Sequence, residues 1–208
     1  ADPGSWLAAT GNTVQAAGIG AVFAMLLALP IGVLAARHTD RVAKGVESAA
    51  FVSHALPGVV VGLSLVYLGL TVAPALYQTL AMLGFAYAVL FLSNAIGSIR
   101  SATAQVSRNV EEVARTLGDR PTRTWWRVTA RLSAPGIIAG ALLVLVTAMK
   151  ELPATLMLRP TGFETLATEM WTFTTIGSFS QAAPYAFVLV LLAAIPAFAL
   201  ARLTGRRS

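Results

Sequence analysis

The residues able to do chemistry in this 208-residue chain are few and clustered. Arginines gather in and around one stretch, 109–136, NVEEVARTLGDRPTRTWWRVTARLSAPG. Arg100, Arg108, Arg115, Arg120, Arg123, Arg127 and Arg131 make up seven of the fifteen Lys and Arg. A second place is the pair Lys150–Glu151, just before Pro153, and a third is Arg159 with Glu164 and Glu169. There are two histidines, His38 and His54, and no cysteine, which excludes a disulfide framework and a Cys-based metal or redox site. A membrane-embedded enzyme needs a nucleophile, a His/Asp constellation or a set of metal ligands, and this inventory offers little for any of them. No GxxxxGK[ST] loop is present, so the chain is not expected to hydrolyse ATP itself.

The elements that must carry these residues are apolar. The chain is 56% hydrophobic and 12% charged, with a mean hydropathy of +0.72. Soluble domains carry about 25% charged residues. Several apolar runs of about 20 residues fit a bilayer and not a soluble core. The expectation is an all-α polytopic membrane protein with about five transmembrane helices, at 14–36, 49–72, 76–99, 137–158 and 183–203. Asn12 and Thr13 stand where a cap for the first would be, and 100–134 forms a polar loop between the third and fourth. Pro30, Pro57, Pro153 and Pro196 fall in or near apolar runs, where they suit either kinked packing or broken helices along a path. The start, ADPGSW, has no basic n-region and is not expected to be a signal peptide; it looks like part of something longer.

Charge sets the expected orientation. With the N-terminus outside and the C-terminus in the cytoplasm, thirteen of the fifteen Lys and Arg fall inside: Arg37, Arg41 and Lys44, the seven above, then Arg202, Arg206 and Arg207. The same rule makes a nucleic-acid partner an unnecessary reading of the +6 net charge. The lipid bilayer is the expected partner of the spans.

The loop reads as helix, glycine turn, helix. Asn109, with Glu112 three residues on, is expected to cap the first helix. Val110, Val113, Ala114 and Leu117 share one face, Glu111 and Glu112 suit its first turn, and Gly118 suits a chain reversal. Pro121 opens a second helix, expected to stop where Pro135 disfavours helix at Ala134. Arginines and Trp125–Trp126 on such a hairpin fit either the inner lipid surface or a soluble protein partner.

The order Glu112, Val113, Ala114, three residues, Gly118, nine residues, Val128 resembles the EAA loop of bacterial ABC importer permeases. Ala130–Arg131 depart from that motif's Leu-Pro, while Pro135–Gly136 is similar to a later Pro-Gly. The resemblance extends over nearly the whole chain as a five-helix, MetI-like permease core, here a single domain, 1–208. It implies that Glu111, Glu112, Ala114, Arg115, Gly118 and Val128 couple to an ATPase. It also implies a second permease half, fused or separate, two ATPase subunits that hold ATP and Mg, an extracytoplasmic substrate-binding protein, and a place in the bacterial inner membrane. The stretch 148–168, AMKELPATLMLRPTGFETLAT, is similar to the C-terminal half of ferric-iron importer permeases. Related permeases for thiamine, phosphonates or polyamines share the layout.

Charge at membrane depth is costly and wants a partner or an aqueous cavity. Lys150, Glu151 and Pro153 are therefore candidates for the path or its gate, with a structural ion pair as the other reading. Arg159, Glu164 and Glu169 are candidates for binding-protein contact. Glu151, Glu164 and Glu169 are separated by a kink and a loop, and no metal site is expected in this chain. A passive channel or structural subunit is the remaining alternative, and the helix–glycine–helix loop argues against it.

Overall fold

Thirty-five residues in one helix open the structure. This computed structural model describes residues 3–38, 41, 45, 48–49 and 51–205, without the side chains of 3, 53, 54 and 203–205. Lys44, Arg206, Arg207 and the His54 side chain, invoked above, lie outside the described residues. Helix α1 (Pro3–Arg37) is followed by a 3-10 turn at Val52–Ala55, α2 (Gly58–Thr71), a 3-10 turn at Pro74–Leu76 and α3 (Leu80–Ala104). Then come α4 (Arg108–Thr116), α5 (Pro121–Thr124), a π-helical turn at Trp125–Thr129 and α6 (Ala130–Met149). Helices α7 (Pro153–Leu158), α8 (Leu166–Thr175) and α9 (Phe179–Gly205) complete the order. Among the described residues, four helical stretches are long and apolar enough to cross a membrane: Gly4–Arg37, Leu80–Ala104, Pro121–Met149 and Phe179–Arg202.

The expected second span is the main correction to the helix inventory. In place of 49–72 there is a 14-residue helix, α2, about 21 Å long at 1.5 Å per residue. Pro57 at its N-cap is extended, with φ −63° and ψ 142°. Proline has no N–H and its φ is restricted, so the helix restarts after it rather than running through.

The first span also starts earlier than its polar residues suggested. Asn12 and Thr13 sit inside α1 and cap nothing in it. Thr10 and Thr13 return their hydroxyls to the carbonyls of Trp6 and Ala9, each at 2.7 Å, so they interrupt nothing. Thr13 Oγ1 also accepts from the Leu166 N–H at 2.9 Å, and Asn12 donates to the Glu164 carbonyl at 2.8 Å. These side chains tie down the start of α8, more than 150 residues away.

Small residues hold the bundle together. Ala17, Ala21, Ala24 and Ala28 are buried along one face of α1, and close approaches accompany them: a methyl at Gly20 would meet Tyr87, and one at Gly32 would meet Ile99. Without a strong hydrophobic drive between helices in lipid, such close backbone packing supplies the association. Large apolar side chains are left on the outside, among them Phe187, Val190 and Ile195 of α9, as a lipid-facing surface requires.

Helices α3 and α6 cross at Gly140, where an added methyl would overlap the Ser98 side chain. Gly140→Val is expected to wedge this crossing apart. Overpacking of this kind costs about 1–3 kcal/mol, so a lowered melting temperature of the purified protein in detergent is the measurement. An unchanged melting temperature would refute the close crossing.

Candidate functional site

The hairpin between α3 and α6 is built around one left-handed glycine. Gly118 has φ +94°, and nothing lies within 4 Å of where its Cβ would be. Glycine is needed there for backbone conformation, not for space. The Gly118 N–H donates to Arg115 O at 3.0 Å and the Asp119 N–H to Ala114 O at 3.1 Å, which closes α4 and reverses the chain. Asp119 then receives Arg123 Nε at 3.3 Å and Arg127 at 3.5 Å. The glycine turn is where the sequence put it.

The cap is two residues earlier than expected. Ser107, extended at φ −60° and ψ 135°, accepts from the Asn109 N–H at 3.3 Å, and Asn109 lies within the helix. The second helix does not stop at Pro135. The π-turn, in which the Ala130 N–H reaches Trp125 O, runs straight into α6, and Pro135 lies inside that helix. One lost N–H donor is tolerated in a spanning helix when neighbours satisfy the freed carbonyls. The hairpin and the span are thus a single continuous rod, Pro121–Met149.

The apolar face of α4 is uncovered. Val113 is 58% exposed and Leu117 83%, with Val110 beside them and Trp126, 67% exposed, on the second arm. Trp126 stacks edge-on against Trp125, ring centroids 4.6 Å apart. Ala114 and Val128 are half-buried, and Glu112 and Arg115 are exposed. The coupling residues expected from sequence therefore share one hairpin.

Beneath that face, one carboxylate ties three elements together. Glu111 Oε1 pairs with Arg37 at the end of α1 and also accepts from Thr129 Oγ1 in the π-turn at 2.6 Å. Arg37 donates further to Val106 O at 3.0 Å, and Arg108 donates to Arg37 O at 2.6 Å. The Arg37 and Glu111 side chains are only 14% and 13% exposed. A cavity of about 300 Å³ opens beside this knot, lined by His38, Glu112, Arg115 and Trp125 among others.

At the other end of α6, Lys150 and Glu151 do not lie within a span. They occupy the break between α6 and α7, where Pro153 restarts the helix. Lys150 is exposed. The Glu151 carboxylate accepts from the Ala154 and Thr155 N–H groups, both at 3.1 Å, and from Thr155 Oγ1 at 2.9 Å. Thr155 in turn meets the Tyr87 hydroxyl at 2.6 Å. A methyl on Gly58 would come within 2.7 Å of Glu151 Oε1, so the carboxylate also touches the start of α2. It joins two interrupted helices beside a cavity of about 260 Å³ lined by Gly58, Asn94, Thr147 and Glu151 itself. Glu151→Ala strands the Ala154 and Thr155 N–H groups, an expected loss of about 2 kcal/mol, while the Thr155 hydroxyl keeps the Glu151 carbonyl at 2.8 Å. Glu151→Gln keeps an acceptor oxygen and should recover part of it in thermal melts; equal melting of all three proteins would refute the clamp.

Arg159 pairs with Glu164, which also accepts from Thr168 Oγ1 at 3.0 Å. Partial burial lowers the Arg159 guanidinium pKa and the Glu169 charge opposes it; the group stays cationic. Thr165 and Thr168 form a reciprocal capping box at the start of α8, whose first turn, Leu166 to Thr168, is buried. The packing is confined to the start of the helix; Trp171, Thr172, Thr174 and Thr175 further along are exposed. Sequence reasoning passed over Arg37 and Thr129 as site residues, because their partner is only defined by tertiary contact. It also passed over Asn94, Ser98, Ser101 and Gln105, whose 4, 3, 4 spacing was visible.

A family model described as binding-protein-dependent transport system inner membrane component matches residues 28–207. The chain is 35% identical over 199 residues to the Fe(3+)-transport system permease protein FbpB 2 of Haemophilus influenzae, covering 96% of this chain and 39% of that one. It is 29% identical over 158 residues to the molybdenum transport system permease protein ModB of Mycobacterium tuberculosis, covering 69% and 58%. It is 29% identical over 190 residues to the putative 2-aminoethylphosphonate transport system permease protein PhnV of Salmonella typhimurium, covering 88% and 71%. The chain thus spans about two fifths of the first of these relatives and under three fifths of the second. Its fold is similar to that of a chain from the MetNI methionine ABC transporter in an inward-facing conformation, with a TM-score of 0.78 at 17% identity, covering all of this chain and 99% of the other.

Proposed function

We propose, from the premise that this chain belongs to the binding-protein-dependent transport system inner membrane component family, that it forms half of the substrate path of an ATP-driven importer and couples that path to an ATPase. The protein is a multi-pass inner-membrane permease of the ABC importer class, and its relatives are transport permeases. The observation that carries the coupling reading is the uncovered ridge of Val110, Val113, Leu117 and Trp126, held out by the Gly118 turn on a rod continuous with α6. A lipid-surface hairpin would turn that ridge into the membrane. A ridge projecting from a rigid, charge-laced hairpin suits a cleft on a soluble partner.

In this reading the hairpin, 100–134, lies in the cytoplasm, with the N-terminus outside. Glu111, Glu112, Ala114, Arg115, Gly118 and Val128 make up the coupling element, Glu111 by holding it and the others by presenting it. ATP and Mg belong to two ATPase partners. A second permease half completes the path, and an extracytoplasmic binding protein delivers the substrate. Lys150, Glu151 and Pro153, at the broken helices, are the gate candidates, and Arg159, Glu164 and Glu169 the binding-protein contacts. Ferric iron is the substrate we favour, because the FbpB 2 likeness runs through 96% of this chain.

Two measurements test this. Native extraction of the protein expressed with its neighbouring reading frames should bring down an ATPase subunit; its absence would overturn the importer reading. Uptake into cells of radioactive iron(III), molybdate and 2-aminoethylphosphonate, compared side by side, should favour iron. Preference for either oxyanion would reject iron and leave the importer intact.

A further inference from the structure

We infer that the seam between α3 and α6 forms a wall of the substrate path, with Asn94, Ser98, Ser101 and Gln105 as lining residues; this rests on the importer reading above and assigns its path. The spacing of these residues puts all four on one face of α3. Away from that stripe the helix is buried: Ala95, Ile96 and Ile99 pack in the cluster shared with α1. A spanning helix thus carries a polar stripe that its own fold leaves exposed at Ser101 and Gln105 and only half-buries at Asn94 and Ser98.

Two cavities follow one another along that stripe. One, of about 510 Å³, is lined by Ser98 and Ser101 of α3 and its C-cap Gln105, by Gly140 and Leu143 of α6, and by Leu200 of α9. The other, of about 260 Å³, takes over one turn further on, at Asn94 and Thr147, and ends at Glu151 and Gly58 where α7 and α2 restart. Asn94 to Gln105 is eleven residues, about 16 Å of helix at 1.5 Å per residue. With the cavity at Glu151 added, the seam runs through more than half of a hydrocarbon core about 30 Å thick.

Lipid is the wrong neighbour for this face. The outward side of α9 shows what a lipid face looks like in this protein: Phe187, Val190, Leu191, Ile195 and Phe198, without a polar group among them. Two carboxamides and two hydroxyls on such a surface would be desolvated at a cost. Facing water they cost nothing.

The chemistry of the wall fits passage more than retention. Ser98 Oγ donates to Asn94 O at 2.9 Å and the Gln105 carboxamide to Ser101 O at 3.2 Å, so part of each group's hydrogen-bonding is spent within the helix. The stripe presents neutral donors and acceptors along its length, and the Glu151 carboxylate lines the far end of the second cavity. Weak, repeated contacts let a hydrated polar solute move on, whereas a tight site would trap it. The seam also ends at Gln105, three residues before α4 begins, so a shift of the hairpin moves the mouth of this wall.

The absence of native cysteine makes the test direct. Single cysteines at 94, 98, 101 and 105 are placed in the assembled importer in proteoliposomes, with Val190→Cys and Ile195→Cys as lipid-face controls. The probe is a charged, membrane-impermeant methanethiosulfonate reagent, applied with and without ATP-vanadate trapping. The four seam positions should react at least about tenfold faster than the controls, because the reactive thiolate forms only where water reaches it. Their order of reactivity should change on trapping. If the complex hydrolyses ATP yet the seam cysteines are as inert as the controls in both states, the seam is packed against protein or lipid and the proposal fails. That outcome leaves the importer reading standing, whereas a complex without ATPase activity or subunit removes both.

Discussion

A Gly118→Pro permease is expected to insert and keep its spans while losing nearly all ATP-driven uptake. Gly118 sits at φ +94° and donates its N–H to Arg115 O. Proline is locked near −65° and has no N–H, so it can supply neither feature. The reversal between α4 and α5 must then open, and the ridge of Val110, Val113 and Leu117 leaves its position relative to Trp126. Gly118→Ala is the graded control. An L-residue in the left-handed region costs about 1–2 kcal/mol, and no neighbour obstructs its methyl group. It should keep part of the uptake. Glu112→Lys tests the same surface by charge: Glu112 is exposed and holds up no part of the fold that the structure shows, so its reversal should weaken ATPase association without changing the melting temperature. Uptake, co-purified ATPase and melting temperature, measured together, separate the cases. Wild-type uptake in Gly118→Pro would count decisively against the coupling role.

The turn was readable in the sequence because glycine there answers a local backbone need. The same holds for the all-helical class, which four long apolar helices bear out. The breaks were harder. Hydropathy averages over a window, and 49–72 and 137–158 average as apolar although the second contains Lys150 and Glu151. Pro57 and Pro153 decide where the helices restart, yet Pro30, Pro135 and Pro196 sit inside continuous helices. Whether a proline breaks or merely bends depends on what satisfies the carbonyls around it, which is a tertiary matter. Thr13 makes the same point. A polar residue near the start of an apolar run looks like a cap, and it is one, but for α8. Glu151 looked like a charge in search of a partner across the membrane. Its donors are three and four residues along its own chain, provided by the restart of the helix at Pro153.

The coupling hairpin transmits force only if it is fastened to the spans, and the fastening is Glu111. Glu111→Ala is expected to destabilise the protein by roughly 3–5 kcal/mol, the range for breaking a buried ion pair by removing one partner. Arg37 would keep its charge with its best acceptor gone, and Thr129 Oγ1 would lose its acceptor as well. Arg37→Ala should do comparable damage, since it also releases Val106 O. The double variant Arg37→Ala/Glu111→Ala should cost clearly less than the two single losses added, because residues in one network couple by about 0.5–3 kcal/mol. Strict additivity in the double-mutant cycle would refute the pairing. Function gives a second readout. Glu111→Gln keeps an oxygen for Thr129 but gives up the charge facing Arg37, so α6 stays attached to the hairpin while α1 is loosened from it. ATP hydrolysis in the assembled complex should then continue with less uptake per ATP. Thr129→Val makes the converse cut, with α1 still held and the tie to the π-turn released. Glu111→Gln should lose more coupling than Thr129→Val, because the continuity of Pro121–Met149 keeps α6 joined to the hairpin in both variants whereas only the first loosens α1; an equal or larger loss in Thr129→Val would refute the role of the α1 tie.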